Sequence, residues 1–206
     1  THGMKFNQEA KALGFRDGDI LVGTEKGEFK DFSADLFREI SEAKRVDIIR
    51  AGKPMSITLS GELNLLSMIK NQPPFVRPLL PCVADTVMGG TPAAKIGMRK
   101  GDRIIALNGK PVDSYNTFTD EIAKLGDVLA TVNTAADSMK VRKATAVLEH
   151  QDKSRDTANV VLTADLKLGF ATNSYAMIYK PYTKEYGFFE SFPAGAKYGV
   201  HVLTSY

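Results

Sequence analysis

Residues 91–112 read TPAAKIGMRKGDRIIALNGKPV, and this stretch decides the fold of the chain. A small turn rich in alanine leads into a Gly-x-x-x-Gly-Asp segment that ends at Asp102. The apolar run that follows predicts a strand, and Asn108-Gly109 predicts a tight hairpin turn. Glycine suits backbone conformations that other residues avoid, and an aspartate accepts hydrogen bonds from turn amides. We therefore interpret these residues as scaffold, not as a catalytic site.

The same pattern occurs 83 residues earlier, where residues 14–22 align with residues 97–105. Both stretches contain Gly-x-Arg-x-Gly-Asp followed by apolar residues. Each copy continues with an amphipathic helix that begins after a serine, predicted over 33–43 and 114–125. A common order of elements over this length indicates a duplicated module.

A predicted hairpin closes each copy. In the first copy, strands over 45–50 and 55–59 flank a short turn containing glycine and proline. In the second copy, strands over 144–149 and 159–163 flank a longer polar loop.

These elements divide the chain into three predicted parts. The first unit covers residues 1–77 and includes a linking helix at about 63–70. The second unit covers 78–173 and carries an insert of uncertain structure at about 127–142. Residues 174–206 form a tail that we expect to be helical towards the C-terminus.

The composition excludes several classes of protein. The chain has 206 residues, a net charge of +3 and one cysteine. Cys82 alone makes neither a disulfide nor a cysteine-based zinc cage, and we expect it to be a small buried apolar residue. The weak charge gives no footprint for nucleic acid. No apolar run reaches the roughly 18 residues of a membrane span. Because Thr1 is not a start methionine, we expect a piece of a longer protein.

The stretch 91–112 resembles the signature of bacterial PDZ domains, and the first copy is a weaker version of it. The resemblance implies a mainly β fold with short helices. It implies two tandem, circularly permuted PDZ-like domains, each a small, partly open β-barrel.

The end of the chain narrows the resemblance. Residues 168–170, followed by 182–199, resemble the segment that leaves the second PDZ domain of site-2-type intramembrane zinc metalloproteases, the regulator-of-sigma-E protease family. Within that family, the sequence is most similar to Bacteroides-type members. The zinc motif His-Glu-x-x-His of that family is absent here, and His2, His150 and His201 are scattered.

The resemblance implies a function for the chain within a larger enzyme. The parent protein would be an inner-membrane zinc protease, anchored by transmembrane segments that flank this region. The chain itself would hold no zinc and no catalytic residue. On the periplasmic face, it would screen or bind protein substrates such as a pre-cleaved anti-sigma factor.

The resemblance also implies where a peptide binds. PDZ domains add an extended peptide to a sheet edge beside a helix, and a loop of backbone amides receives its carboxylate. In the second unit, the implied residues are Leu168, Gly169, Phe170 and Ala171, facing Phe118 and Ile122. In the first unit, they are Phe75, Val76 and Arg77, facing Leu36 and Ile40. Pro74 has no amide donor, which counts against carboxylate capture in the first unit.

The residues leave alternatives open. Phe118, Ile122, Leu36 and Ile40 have the spacing of ordinary core residues, and Leu168-Gly169-Phe170 also reads as a strand with a bulge glycine. Arg77 is either an exposed charge or an anion contact. Seven aromatic residues between Tyr175 and Phe192 either pack on the second unit or lie at a membrane interface.

Two other functions compete with the protease region. One is a PDZ tandem from a periplasmic trypsin-like serine protease, and the other is a free-standing peptide-binding adaptor. The aromatic tail favours the membrane metalloprotease region, because such serine proteases normally end at the second PDZ hairpin.

Overall fold

The computed structural model describes residues 3–30, 32, 34–59, 61, 63–173, 187, 191–193, 195, 196 and 200. The N-cap predicted at Ser33 lies outside the described residues, and so does the aromatic cluster of the tail except for Phe192, which is 66% exposed. Within the tail, 191–193, 195, 196 and 200 have helical backbone. No helix in the described part of the chain is both long and apolar enough to span a bilayer.

The first unit consists of an antiparallel sheet, a separate two-stranded ribbon and short helices. Its elements are β1 (Met4–Phe6), α1 (Gln8–Ala12), β2 (Ile20–Thr24), β3 (Gly27–Glu28), α2 (Ala34–Ser41), β4 (Arg45–Arg50), β5 (Lys53–Thr58), α3 (Leu65–Lys70) and β6 (Val76–Pro78). The sheet has the order β3-β2-β4-β5, and β1 pairs with β6 in the ribbon.

The second unit repeats this arrangement. Its elements are β7 (Thr86–Val87), α4 (Pro92–Lys95), β8 (Arg103–Leu107), β9 (Lys110–Pro111), α5 (Tyr115–Leu129), α6 (Ala135–Arg142), β10 (Lys143–Glu149), β11 (Arg155–Val161) and β12 (Phe170–Ala171). The sheet order β11-β10-β8-β9 matches that of the first unit, and β12 pairs with β7. The mainly β, tandem PDZ-like fold is confirmed, with open sheets rather than closed barrels.

The Gly-Asp turns of the two units have the same geometry. The backbone amide of Arg16 donates to the Asp19 carboxylate at 2.8 Å, and that of Arg99 donates to Asp102 at 2.8 Å. Both aspartates are almost fully buried. Each carboxylate therefore fixes the turn that feeds β2 or β8, as the scaffold interpretation predicts.

The hairpin predicted at Asn108-Gly109 is confirmed. It joins β8 to β9, and its two residues have φ angles of 50° and 75°. Two consecutive positive φ angles give the turn whose twist matches that of the flanking strands.

Two boundaries in the second unit differ from the predictions. The helix predicted to end at residue 125 continues to Leu129, and α6 fills the second half of the insert. Strand β11 begins at Arg155 instead of 159 and pairs with β10 along its length. Its first residues are polar because β11 is an exposed edge strand, so they carry no hydrophobic alternation.

The apolar residues form two separate cores. The first core is built from buried residues in the sequence range 6–76, and the second from buried residues in the range 82–170. Cys82 is 1% exposed, as predicted, and its burial raises the pKa of the thiol to about 12. A thiol in this state is an unreactive core residue.

Candidate peptide-binding site

In the second unit, residues 168–171, which include β12, form the loop implied to receive a peptide, and we call it the second loop. Two of its carbonyls are bonded to the rest of the fold. The Leu168 carbonyl accepts from the amide of Ala93 at 2.8 Å, and the Gly169 carbonyl accepts from that of Met88 at 3.1 Å. These bonds hold residues 168–171 against α4 and β7.

The opposite edge of the same loop presents unpaired backbone amides. Within the described ranges, the amides of Leu168 and Gly169 donate to no other protein group. Phe170 faces Val87 in the ladder, and the adjoining bond runs from Met88 to Gly169. Because the bonding direction alternates along an antiparallel strand, the Phe170 amide points away from β7. The amides of Leu168, Gly169 and Phe170 therefore have no hydrogen-bond partner among the described residues.

Gly169 is required for this loop geometry. Its φ is +95°, and an added Cβ would lie 2.3 Å from the Cβ of Thr91. The Thr91 hydroxyl donates to the Met88 carbonyl at 2.6 Å and caps α4. Thr91 thus positions the loop, a role that its place in the sequence signature did not reveal.

The helix α5 lies across from the loop, and aromatic rings connect the two. The Phe118 and Phe170 ring centroids are 5.4 Å apart, and Tyr115 lies 6.0 Å from Phe170. Ile122 is half-buried against the same core. The structure therefore brings together Phe118, Ile122 and the loop, and it adds Tyr115, which the sequence reasoning missed.

In both units these residues belong to a core, since Phe118, Leu168 and Phe170 are themselves only 6%, 2% and 8% exposed. In the first unit, Leu36, Ile40, Phe75 and Val76 are all buried in one cluster. The Phe75 amide donates to the carbonyl of Met68 on α3 at 2.9 Å. Pro74, which precedes it, has no amide to donate.

Arg77 forms an ion pair with the second unit. Its guanidinium donates two hydrogen bonds to the Asp120 carboxylate on α5, at 3.0 and 2.7 Å. Paired geometry of this kind is stronger than a single contact. The sequence contained no signal for this partner, because the two residues lie in different units.

Further polar contacts connect the two units around the start of α5. The ammonium of the buried Lys5 lies 2.8 Å from the Asp17 carboxylate and 3.0 Å from that of Asp113. Burial alone would raise the pKa of Asp113, but hydrogen bonds from Thr117, Lys5 and Ser114 lower it to about 2. Helix α5 therefore contacts the first unit on one face and the second loop on the other.

The buried aspartate of each Gly-Asp turn has a different cationic partner. Arg50, at the end of β4, bonds both oxygens of Asp19 at 2.7 Å. At the end of β10, His150 places Nδ1 2.9 Å from Asp102 and Nε2 3.0 Å from Asp156. Hydrogen bonds to Asp156 and Asp102 raise the pKa of His150 above its ordinary value.

Across the part of the chain that is described, no group of three or more His, Cys, Asp or Glu side chains is arranged to hold a metal ion.

Comparison with known proteins agrees with the geometry. Residues 83–134 match the PDZ domain family. The match ends before residue 168, so it does not cover the loop at 168–171. The chain is 34% identical over 128 residues to a protein of Neisseria meningitidis named as a zinc metalloprotease. The aligned region is 59% of this chain and 27% of that relative. The chain therefore contains a PDZ module similar to part of a metalloprotease about four times the aligned length.

Proposed function

We propose that the chain is the non-catalytic PDZ tandem of a membrane-bound, site-2-type zinc metalloprotease. In this proposal it faces the periplasm at the bacterial inner membrane, and flanking segments of the parent protein anchor it there. It screens or binds protein substrates, such as a pre-cleaved anti-sigma factor, for regulated intramembrane proteolysis. The zinc belongs to the parent enzyme, and the Bacteroides-type likeness is part of the same proposal.

The observation that carries the proposal is the unpaired edge of the second loop. The amides of Leu168, Gly169 and Phe170 have no partner among the described residues, and the Phe170 ring lies against that of Phe118. A peptide C-terminus offers a carboxylate for such amides and an apolar side chain for the rings. The likeness to a metalloprotease makes the C-terminus of a cleaved substrate the ligand that we favour.

Titration with a short peptide tests the site. The peptide ends in an apolar residue, and the control is the same peptide with a C-terminal amide. We expect the free carboxylate to shift the backbone amide resonances of residues 168–171. We expect the amidated control to bind at least about tenfold more weakly, since charge-assisted hydrogen bonds are worth about 1.5–3 kcal/mol. Unchanged resonances at saturating peptide would sink the proposed site.

A matched pair of glycine substitutions isolates the loop. Gly169→Ala places a Cβ 2.3 Å from the Thr91 Cβ at a positive φ, whereas a Cβ at Gly89 meets nothing within 4 Å. We expect Gly169→Ala to weaken peptide binding at least about tenfold and Gly89→Ala to leave it unchanged. Amide spectra of both variants check that the fold is retained. Equal binding by both would show that the peptide lies elsewhere.

The role in a larger enzyme is tested by the gene that encodes the chain. We expect a His-Glu-x-x-His helix upstream and apolar spans on both sides. We also expect the isolated chain to cleave no substrate. A gene encoding a Gly-Asn-Ser-Gly-Gly motif upstream, or no apolar spans, would contradict the membrane protease and favour the serine protease or the free-standing adaptor.

A further inference from the structure

The ribbons of the two units can be superimposed residue by residue. Val76 faces Phe6 in the first ribbon as Phe170 faces Val87 in the second. The Phe75 carbonyl accepts from Asn7 just as the Gly169 carbonyl accepts from Met88, both at 3.1 Å. Phe75 therefore occupies the place of Gly169, and Pro74 occupies that of Leu168.

Helix α3 takes up the amide at this position. Met68 lies two residues before the end of α3, where helix carbonyls have no partner inside the helix. Its carbonyl accepts from the Phe75 amide at 2.9 Å. The equivalent amide in the second unit, that of Gly169, has no partner within the described ranges.

The side chain of Met68 completes the contact. It is fully buried, in the same cluster as Leu36 and Ile40 of α2. These are the two helix residues that would face a peptide in the first unit. By contrast, Leu66 and Ile69 on the same helix are 57% and 45% exposed. Met68 thus supplies an oxygen acceptor to the loop and an apolar side chain to the helix, as the last residue of a bound peptide would.

We propose that α3 is an internal ligand of the first unit and closes its peptide groove. Phe75 and Met68 are bonded to each other, and Pro74 contributes no amide. The first unit therefore takes no external peptide and serves to hold α5 of the second unit. The inference rests on the proposed function only for the location of the groove.

Hydrogen exchange without any peptide tests this contact independently of the second unit. The variants are Met68→Ala and, as an exposed control on the same helix, Leu66→Ala. We expect Met68→Ala to accelerate exchange of the Phe75 amide at least about tenfold and Leu66→Ala to change it less than about twofold. A folded Met68→Ala protein with unchanged Phe75 exchange would overturn the inference.

Wild-type protein provides a second route if Met68→Ala does not fold. In low concentrations of denaturant, we expect the Phe75 amide to open together with that of Asn71, which donates to Ser67 at the end of α3. Both should open before the amide of Ile48 in the central sheet. Opening of Phe75 only with Ile48 would contradict a separable internal ligand. So would peptide-induced shifts at Phe75 and Val76 equal to those at residues 168–171.

Discussion

The two PDZ-like units have the same turn, the same sheet order and the same ribbon, yet they use their loops differently. In the second unit, the amides of Leu168, Gly169 and Phe170 have no partner among the described residues, and a glycine with positive φ shapes the loop. In the first, proline removes one amide and Met68 binds the next. A shared scaffold therefore does not imply a shared binding site. Whether a loop can bind a peptide depends on whether its backbone amides already have hydrogen-bond partners.

The units also differ in the partner of the buried aspartate in the Gly-Asp turn, which is Asp19 in the first unit and Asp102 in the second. Arg50 gives Asp19 a permanent positive partner, whereas His150 gives Asp102 a partner that is charged only when protonated. The charge beside Asp19 therefore does not change with pH, whereas the charge beside Asp102 does.

The largest effect that we expect in this comparison is the loss of the Asp19–Arg50 pair. Asp19 is 1% exposed, so Asp19→Ala removes a buried carboxylate that binds both the Arg50 guanidinium and the Arg16 amide. We expect the free energy of unfolding of the first unit to fall by about 3 kcal/mol, measured by urea denaturation. Glu42→Ala breaks the exposed pair with Lys26 and should cost less than about 1 kcal/mol. Equal losses would show that burial does not strengthen the Asp19 pair.

A smaller effect should distinguish the units by pH. The folded-state pKa of His150 is raised, first by Asp156 and then by Asp102. Its contribution to stability is therefore fully present below the ordinary pKa of 6.5 and is lost as pH rises through the folded pKa. We expect the second unit to weaken relative to the first as pH rises above 6.5 and through the raised pKa of His150, as followed by urea midpoints.

Exchanging the two cations sharpens this prediction. His150→Arg should remove the pH dependence from the second unit, and Arg50→His should introduce it into the first. If His150→Arg keeps the wild-type pH dependence, another group controls it.

The smallest effect concerns the contact between the units. Arg77 and Asp120 are 20% and 29% exposed, so water screens their pair in part. A double-mutant cycle of Arg77→Ala and Asp120→Ala should give a coupling of about 1 kcal/mol in unfolding free energy. The same cycle on the exposed Lys26 and Glu42 should give nearly zero. A coupling near zero for both would mean that Arg77 does not join the units.

Much of the scaffold could be predicted from local sequence. Gly-Asp turns, the Asn108-Gly109 hairpin and the apolar spacing of α2 and α5 are set by near neighbours in the chain, so their patterns identify them. The start of β11 could not be predicted from hydrophobic alternation, because its first residues are polar and pair through the backbone at an exposed edge.

The candidate site could be predicted only in part. Residues 168–171 were identified through the resemblance, and the absent amide of Pro74 indicated a weaker first loop. The Met68–Phe75 bond and the Arg77–Asp120 pair could not be predicted, because they depend on how separate elements pack. Helix α3 looked like a simple link, since its sequence shows an apolar helix but not what its carbonyls contact.

The number of peptides bound per chain distinguishes one open loop from two. Isothermal titration of the wild-type chain with the apolar peptide carrying a free carboxylate should give one site. That site should be lost in Gly169→Ala and retained in Gly89→Ala. Two sites per chain, or one site that survives Gly169→Ala, would contradict the account of one open loop and one closed loop.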